Sequence, residues 1–469
     1  MNKTPQRSPE GGKKKKKQRR REEAAVKHRG NPRRVAYDTL RVVRTDEAYA
    51  NLVLPKAIAA AHLHPRDARL ATELAYGTLR AQGTLDRIIA TASGRDLASL
   101  RPDLVDALRL GAYQLLYTRI GAYAAVSTTV SLVKGAVSPK VSGLANAVLR
   151  KVGAKDLDEW GAAIVPETAS ATERLAFRHS HPEWIIRQYE RLLPPGELAE
   201  ALEANNEAPG VHLAVRPGRL HVKDLAYQTK GRLGRWSPYA VHLPGGDPAR
   251  VPAVAAGAAG VQDEGSQVAA LALARVDVEG RDETWVDLCA GPGGKTALLG
   301  SVAAERGARV QAVEVAEHRA ELVRDNTDGM PVEVHRADGR EWGSAGMADR
   351  VLVDAPCSGL GALRRRPESR WRKGEADLPD LIELQKALLA NAIRLTRVGG
   401  VIAYVTCSPL QAETEEVVDA LRRDNPVSAI APPEPVASMP GAARGDYAQL
   451  WPARHGTDAM FIALLRREQ

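Results

Sequence analysis

Three cysteines occur in 469 residues, an odd number with no Cys-x-x-Cys pair. That scarcity argues against a disulfide framework or a zinc site and for a reducing cytoplasm. Long apolar runs are missing too: none reaches the ~20 residues of a membrane span. The basic N-terminus has no apolar stretch behind it, so a secretory signal is not expected. No internal repeat is evident. What remains is a chain with 44% hydrophobic and 26% charged residues, long enough for two or three domains around ample cores. A cytoplasmic monomer without membrane or metal partners is the expectation.

The net charge of +9 is not spread evenly. Residues 1–30 hold twelve Lys/Arg and three Glu, while the rest carries 54 charges of each sign. The body is neutral and the basicity belongs to a tail. Lys13 to Arg21 has eight basic residues in nine, too self-repelling and too poor in apolar residues to fold. A disordered basic tail over 1–30 is expected, serving either as a phosphate-binding arm or as a solubilising or localising segment.

From Asn31 to about Lys151 the pattern is helical. Pro102 opens one helix, with Leu104, Leu108, Gly111 and Leu115 following at helical spacing. Breaks such as Ala92-Ser93-Gly94 and Ser138-Pro139 imply five to seven helices in an all-α domain, 31–155. Residues 156–255 are mixed, with a helical run at Trp184–Leu193 and a β-like piece at Val211–Val215, and read as a small α+β connector. Beyond 256 strands and helices alternate. Thr284–Leu288, Arg309–Val313, Val332–His335, Arg350–Val353 and Gly400–Val405 read as buried strands, Arg319–Asn326 and Leu378–Arg397 as amphipathic helices. Such alternation predicts an α/β, doubly wound Rossmann-like domain over 256–469, its site beyond the carboxyl ends of the strands.

The first of these strands runs into Asp287-Leu288-Cys289-Ala290-Gly291-Pro292-Gly293-Gly294-Lys295-Thr296. Glycines here let the backbone turn tightly and approach a ligand at a helix N-terminus. A P-loop would need glycine where Cys289 stands, and a dinucleotide fingerprint would need glycine or alanine at Thr296. Each fails by one residue. Glu314 closes the second strand, placed for ribose hydroxyls, and Asp338 closes the third, on the adenine side. A glycine turn followed by one acid after each of two strands fits an adenosine without phosphates, which is S-adenosyl-L-methionine. A P-loop nucleotidase is the rival reading, with Asp354 as its magnesium-side acid.

The fourth and fifth strands end in Asp354-Ala355-Pro356-Cys357-Ser358-Gly359 and Thr406-Cys407-Ser408-Pro409. If these strands are neighbours, Cys357 and Cys407 share one pocket beside the methyl donor. Cytosine C5 is a poor nucleophile until a thiolate adds to C6 and makes it enamine-like. A thiol with a free pKa of ~8.5 needs little lowering for that task and also leaves readily. Asp354 can hydrogen-bond the base and favour N3 protonation. Cys289 reads as a small buried residue beneath the turn.

Asp287–Thr296, Asp354–Gly359 and Thr406–Ser408 together resemble the RNA cytosine-5 methyltransferases, and in particular the bacterial Sun/RsmB/Fmu group acting on 16S ribosomal RNA. The resemblance implies Cys407 as nucleophile, Cys357 as the group assisting product release, and Asp354 as a third catalytic residue. It also implies a cofactor site lined by Cys289, Ala290, Gly291, Pro292, Gly293, Gly294, Lys295, Glu314, Asp338 and Asp354. Gly77–Arg80, Leu108–Gln114 and Asn146–Arg150 look like that group's NusB-like RNA-binding domain. Gln262-Asp263 with Ser266-Gln267 looks like the approach to its methyltransferase core. Departures from the family pattern are Gly291 in place of Ala, Glu314 in place of Asp, Thr414 after Glu413 in place of Asn, and Pro217 after Arg216 where Asn is expected nearby.

Leu363 to Lys373 reads LRRRPESRWRK. Guanidinium groups beside an indole can hold phosphates and stack a splayed base, so Arg364, Arg365, Arg366, Arg370 and Trp371 are expected to contact RNA. Charge reversal at Arg365 and Arg370 should then weaken RNA binding and spare cofactor binding. The alternative functions are methylation of transfer RNA and a non-catalytic RNA-binding factor that kept the fold.

Overall fold

The computed structural model describes residues 30–469. The basic tail expected at the N-terminus lies outside the described residues. Two compact units divide the chain, one spanning the residues up to Ile186 with 366–368, the other 187–365 with 369–469. Among the described residues no helix is long and apolar enough to cross a membrane.

Seven α-helices fill Pro32 to Val152, followed by shorter ones at Leu157–Ile164 and Ala171–His179. Their ends follow from local chemistry. The Asn31 side chain accepts from the Arg33 and Arg34 amides ahead of Pro32, and Gly94 terminates Gln82–Ser93 in a left-handed conformation. Helix Pro102–Tyr117 is the hub, buried from Leu104 to Gln114 except at Arg109. A Cβ at Gly111 would lie 2.7 Å from Leu149 and 2.9 Å from Thr129, and one at Gly77 would lie 2.0 Å from the Tyr113 ring. The glycines of the recognised motifs are thus packing positions that let helices approach closely.

The second unit holds two sheets. In the smaller, β1 (Val211–Val215), β2 (Arg232–Leu233), β3 (Ala240–Leu243) and β4 (Ala259–Val261) lie in the order β2-β3-β1-β4, all antiparallel. Leu213, Val215, Val241 and Ala259 bury one face over Leu225 and Ala253.

The larger sheet contains β5 (Thr284–Asp287), β6 (Arg309–Val313), β7 (Val332–His335), β8 (Ala348–Asp354), β9 (Thr396–Thr406), β10 (Val427–Ile430), β11 (Ala443–Arg444), β12 (Tyr447–Gln449) and β13 (Phe461–Arg467). Their order is β7-β6-β5-β8-β9-β13-β12-β11, with β10 also on β13. Strands β5 to β9 pair in parallel, and β13 joins β9 antiparallel. Alternate side chains feed two cores. Trp285, Val310, Leu352 and Ala403 pack on helices Glu264–Arg275 and Gly294–Glu305. Val286, Val351, Ile402 and Tyr404 pack on helices Leu378–Leu395 and Glu415–Asp424. This is the doubly wound α/β domain the strand pattern implied. The helix expected to reach Arg397 stops at Leu395, because β9 starts at Thr396 and not at Gly400.

The sheet order reverses at β5, with β6 and β7 on one side and β8 and β9 on the other. Loops leaving adjacent strands diverge there and open a crevice.

Candidate active site

Asp287 ends β5 fully buried. Its carboxyl meets the Thr296 hydroxyl at 2.8 Å and the Cys289 amide at 3.3 Å. Burial first, and then nearby Asp354, push its pKa up to about 7 against the Thr296 bond. Gly293 has φ +104°, and a Cβ on it would sit 3.0 Å from the Val323 backbone. A Cβ on Gly291 would lie 2.4 Å from the Glu314 carboxylate. The turn is therefore a cradle that only glycine leaves open.

Glu314, one residue past β6, is buried and accepts from the Gly291 amide (3.1 Å) and the Ala316 amide (3.0 Å). Arg319 lies beside it at 3.5 Å and donates to the Gly291 carbonyl. Asp338 follows β7 and is gripped by Arg340, whose side chain first and backbone amide next hold its carboxyl below the usual range. Lys295 reaches from the turn to Asp354 at 2.8 Å. Burial opposes its ammonium, but Asp354, Cys407 and Asp287 outweigh that and keep its pKa raised. Cys289 packs partly buried against the core of the β8 face, and burial pushes its thiol up.

Register pairs Asp354 with Val405, so the segments leaving β8 and β9 run side by side. The Cys357 and Cys407 sulfurs stand 3.5 Å apart. The hydrogen bond to Cys407, with burial next, drives the Cys357 thiol well above its ordinary pKa.

One group that sequence reasoning missed holds this pair. Glu413 is fully buried. One oxygen accepts from the Ser358 amide (2.7 Å) and the Gln385 amide (3.1 Å). The other accepts from the hydroxyls of Ser358 (2.5 Å) and Ser408 (2.6 Å). The residue following each cysteine is thus tied to one carboxylate. The hints in sequence were an acid six positions beyond Cys407 and its place beside Thr414 in the family pattern.

The arginine segment differs from expectation. Arg364 is buried and bonds Asp458 at 3.2 Å. Arg365 bridges Asp263 (2.6 Å) and Asp458 (3.0 Å), and against the cost of burial those acids hold its pKa raised. Arg370 is fully buried and bonds the Asn206 side chain at 2.8 Å. Arg366, grouped with the helical unit, lies over the Tyr49 ring at 4.8 Å. Trp371 is half-buried. Arg364, Arg365 and Arg370 do not form the phosphate-holding face expected of them, because their guanidinium groups turn inward to intramolecular acceptors.

A doubly wound sheet ending in a glycine cradle, with strand-end acids and paired strand-end cysteines, defines a Rossmann-like methyltransferase that follows an all-helical domain. The family described as 16S rRNA methyltransferase RsmB/F matches residues 275–466, and the NusB family matches residues 30–154. A putative methyltransferase of Mycobacterium tuberculosis is 51% identical over 93% of this chain and 96% of its own. Ribosomal RNA small subunit methyltransferase B of Sodalis glossinidius is 33% identical over 87% of this chain and 92% of its own. The solved structure of PH0851 superposes with a TM-score of 0.79 at 23% identity, covering 93% and 98% of the two chains, and shows the same fold. The chain belongs to the RsmB/F family of 16S rRNA methyltransferases, whose methyl donor is S-adenosyl-L-methionine.

Proposed function

We propose that this enzyme methylates C5 of a cytosine in 16S rRNA through a covalent cysteine–C6 adduct. The observation that carries this reading is the 3.5 Å approach of the Cys357 and Cys407 sulfurs next to the Lys295–Asp354 pair. The donor set fits the cofactor. Glu314 keeps free lone pairs for ribose hydroxyls, Asp338 stands on the adenine side, and the residues from Cys289 to Lys295 supply the backbone cradle. Bound there, S-adenosyl-L-methionine supplies an electrophilic methyl group on a sulfonium.

The two thiols take different roles because their surroundings differ. Cys357 holds its proton and shares it with the Cys407 sulfur. Lys295 and Cys407 interact electrostatically, and Cys407 takes the attacking role that the family resemblance implies. Cys407 adds to C6 of the base. Asp354 hydrogen-bonds the base edge as N3 takes a proton from solvent, and C5 becomes the nucleophile that takes the methyl group. Water takes the C5 proton, the C5–H electron pair re-forms the C5=C6 bond, N3 returns its proton to solvent, and the S–C6 bond breaks with its electron pair returning to Cys407. Cys357 then supplies a proton to the departing sulfur.

Labelled methyl transfer to unmethylated small-subunit rRNA tests this with wild type, Cys407→Ala and Cys357→Ala. Wild type labels cytosine C5, Cys407→Ala is inactive, and Cys357→Ala accumulates a denaturant-stable protein–RNA adduct. An adduct that forms in Cys407→Ala instead reverses the two roles. Label at any atom other than C5 overturns the proposal.

A further inference from the structure

Arg216 is the one strongly buried cation of the second unit whose guanidinium meets no carboxylate, carbonyl or hydroxyl among the described residues. It follows β1 directly and is only 3% exposed. Its Nη1 is buried without a hydrogen-bond partner. Burial first, and Arg219 second, push its pKa down to about 10. Arg364 and Arg370, equally sequestered, both have acceptors. A guanidinium nitrogen buried without an acceptor carries an uncompensated desolvation cost.

The surroundings say what would complete it. Along β1, Leu213 and Val215 enter the core of the small sheet, so His212, Ala214 and Arg216 face the other way. Gly260, paired with Ala214, shares that face, and a Cβ on it would lie 2.5 Å from Arg216 Nη2. The guanidinium therefore reaches β4, Nη2 first, because residue 260 has no side chain. Two residues further along the same face is Gln262. Its side chain comes 3.7 Å from the Cβ position of Gly294, the first residue of the helix behind the glycine turn, and its Oε1 is also buried without a partner. Arg219 stands on the rim, anchored to the Gly257 and Asp328 carbonyls.

His212, His242 and Glu264 cluster on this face too, yet they do not make a metal centre. The two rings stack at 4.0 Å and 14°, so their in-plane lone pairs run side by side and cannot meet at one ion. Glu264 is already engaged by the Trp236 and Ser237 amides and by His242.

We propose that Arg216, with Arg219 at the rim, binds a backbone phosphodiester of the RNA strand beside the target nucleotide. Arg216 offers a planar fork of donors, which matches a phosphate's paired oxygens. Gln262 offers an amide, suited to a ribose hydroxyl or a base edge. Gln262 stands next to the glycine turn assigned to the methyl donor. The inference rests on the RNA-methylation reading above.

The test uses the full-length protein, a single-stranded oligocytidylate RNA as probe, and the variants Arg216→Met and Arg216→Lys. Arg216→Met should bind the probe roughly tenfold more weakly at low salt. Its plot of log affinity against log salt should be shallower by about 0.7, one phosphate's share on a single strand. Affinity for S-adenosylhomocysteine, by calorimetry, should not change, and the melting temperature should hold or rise as an unpaired buried charge is removed. Arg216→Lys should restore the salt slope but not the full affinity. An unchanged slope with weakened S-adenosylhomocysteine binding makes the occupant the cofactor's carboxylate and overturns the inference. An unchanged slope with unchanged cofactor binding makes the guanidinium purely architectural and overturns it as well. Wild type that neither binds nor labels RNA removes the underlying reading, whereas labelling by wild type with an indifferent Arg216→Met removes this inference alone.

Discussion

Glu413 touches neither sulfur, yet both cysteine turns hang from it through Ser358 and Ser408. Its backbone carbonyl also accepts from Tyr404 on β9 (2.8 Å), so the carboxylate is fixed at both ends. Glu413→Gln keeps the shape but replaces an acceptor oxygen with a donor, which removes the acceptor of either the two serine hydroxyls or the Ser358 and Gln385 amides. Sulfurs displaced by about 1 Å cost on the order of a hundredfold in rate. The expected outcome for Glu413→Gln is a kcat lowered by roughly 10–100-fold with KM for S-adenosyl-L-methionine unchanged, and for Glu413→Ala a larger loss. A purely structural role would instead lower the amount of active enzyme at constant single-turnover rate, so single-turnover kinetics decide it. The cysteines were legible because each follows a buried strand. Glu413 was not, because its partners come from two different strand ends and its meaning appears only when the chain folds back from residue 407 to 413.

The segment Leu363–Lys373 shows where reading by element breaks down. A charge run is normally a solvated face, and nothing local in LRRRPESRWRK says otherwise. Its acceptors are far away in sequence: Asp263 opens helix Glu264–Arg275, and Asp458 precedes β13. Gly361, just ahead, would clash through a Cβ with the Ala459 carbonyl at 2.1 Å and the Cys407 carbonyl at 2.8 Å. The run therefore presses the loop after Cys357 against the Cys407 turn. Arg365→Met should leave two buried acids short of a cation. The expected loss is about 3 kcal/mol, read as a lower urea midpoint at unchanged m-value, and RNA affinity at low temperature should be little altered. Weakened RNA binding with an unchanged urea midpoint would return Arg365 to the RNA surface. Elsewhere the alternation of strands was readable from Thr284 to Thr406. The antiparallel flank of β10 to β13 was not, since a short apolar run such as Phe461–Leu465 fits a buried helix as well as a strand.

At the scale of the whole molecule, the +9 of the sequence resides in its first 30 residues and the remainder is neutral, so the pH dependence of stability rests on individual buried groups rather than on net repulsion. Asp287 is one of these in the catalytic unit. Its folded pKa, about 7, stands above the ordinary value of 3.8. The folded state thus keeps a proton that the unfolded chain has lost between those two values, and stability falls as pH rises through that window. Above it the penalty is constant. The protonated carboxyl donates to Thr296, whose hydroxyl can pass the bond on to the Ala290 carbonyl at 3.3 Å. Asparagine reproduces that donor, and its carbonyl still accepts from the Cys289 amide. Asp287→Asn in the ligand-free protein should melt close to wild type near pH 4 and progressively above it as pH rises, the gap reaching several degrees by about pH 8, at roughly 3 °C per kcal/mol. Fluorescence of Trp285, fully buried two residues earlier in β5, follows this unit during melting. Parallel melting profiles for the two proteins across that range would mean that Asp287 is already ionised inside the sheet, with Thr296 and the Cys289 amide sufficient to hold its charge.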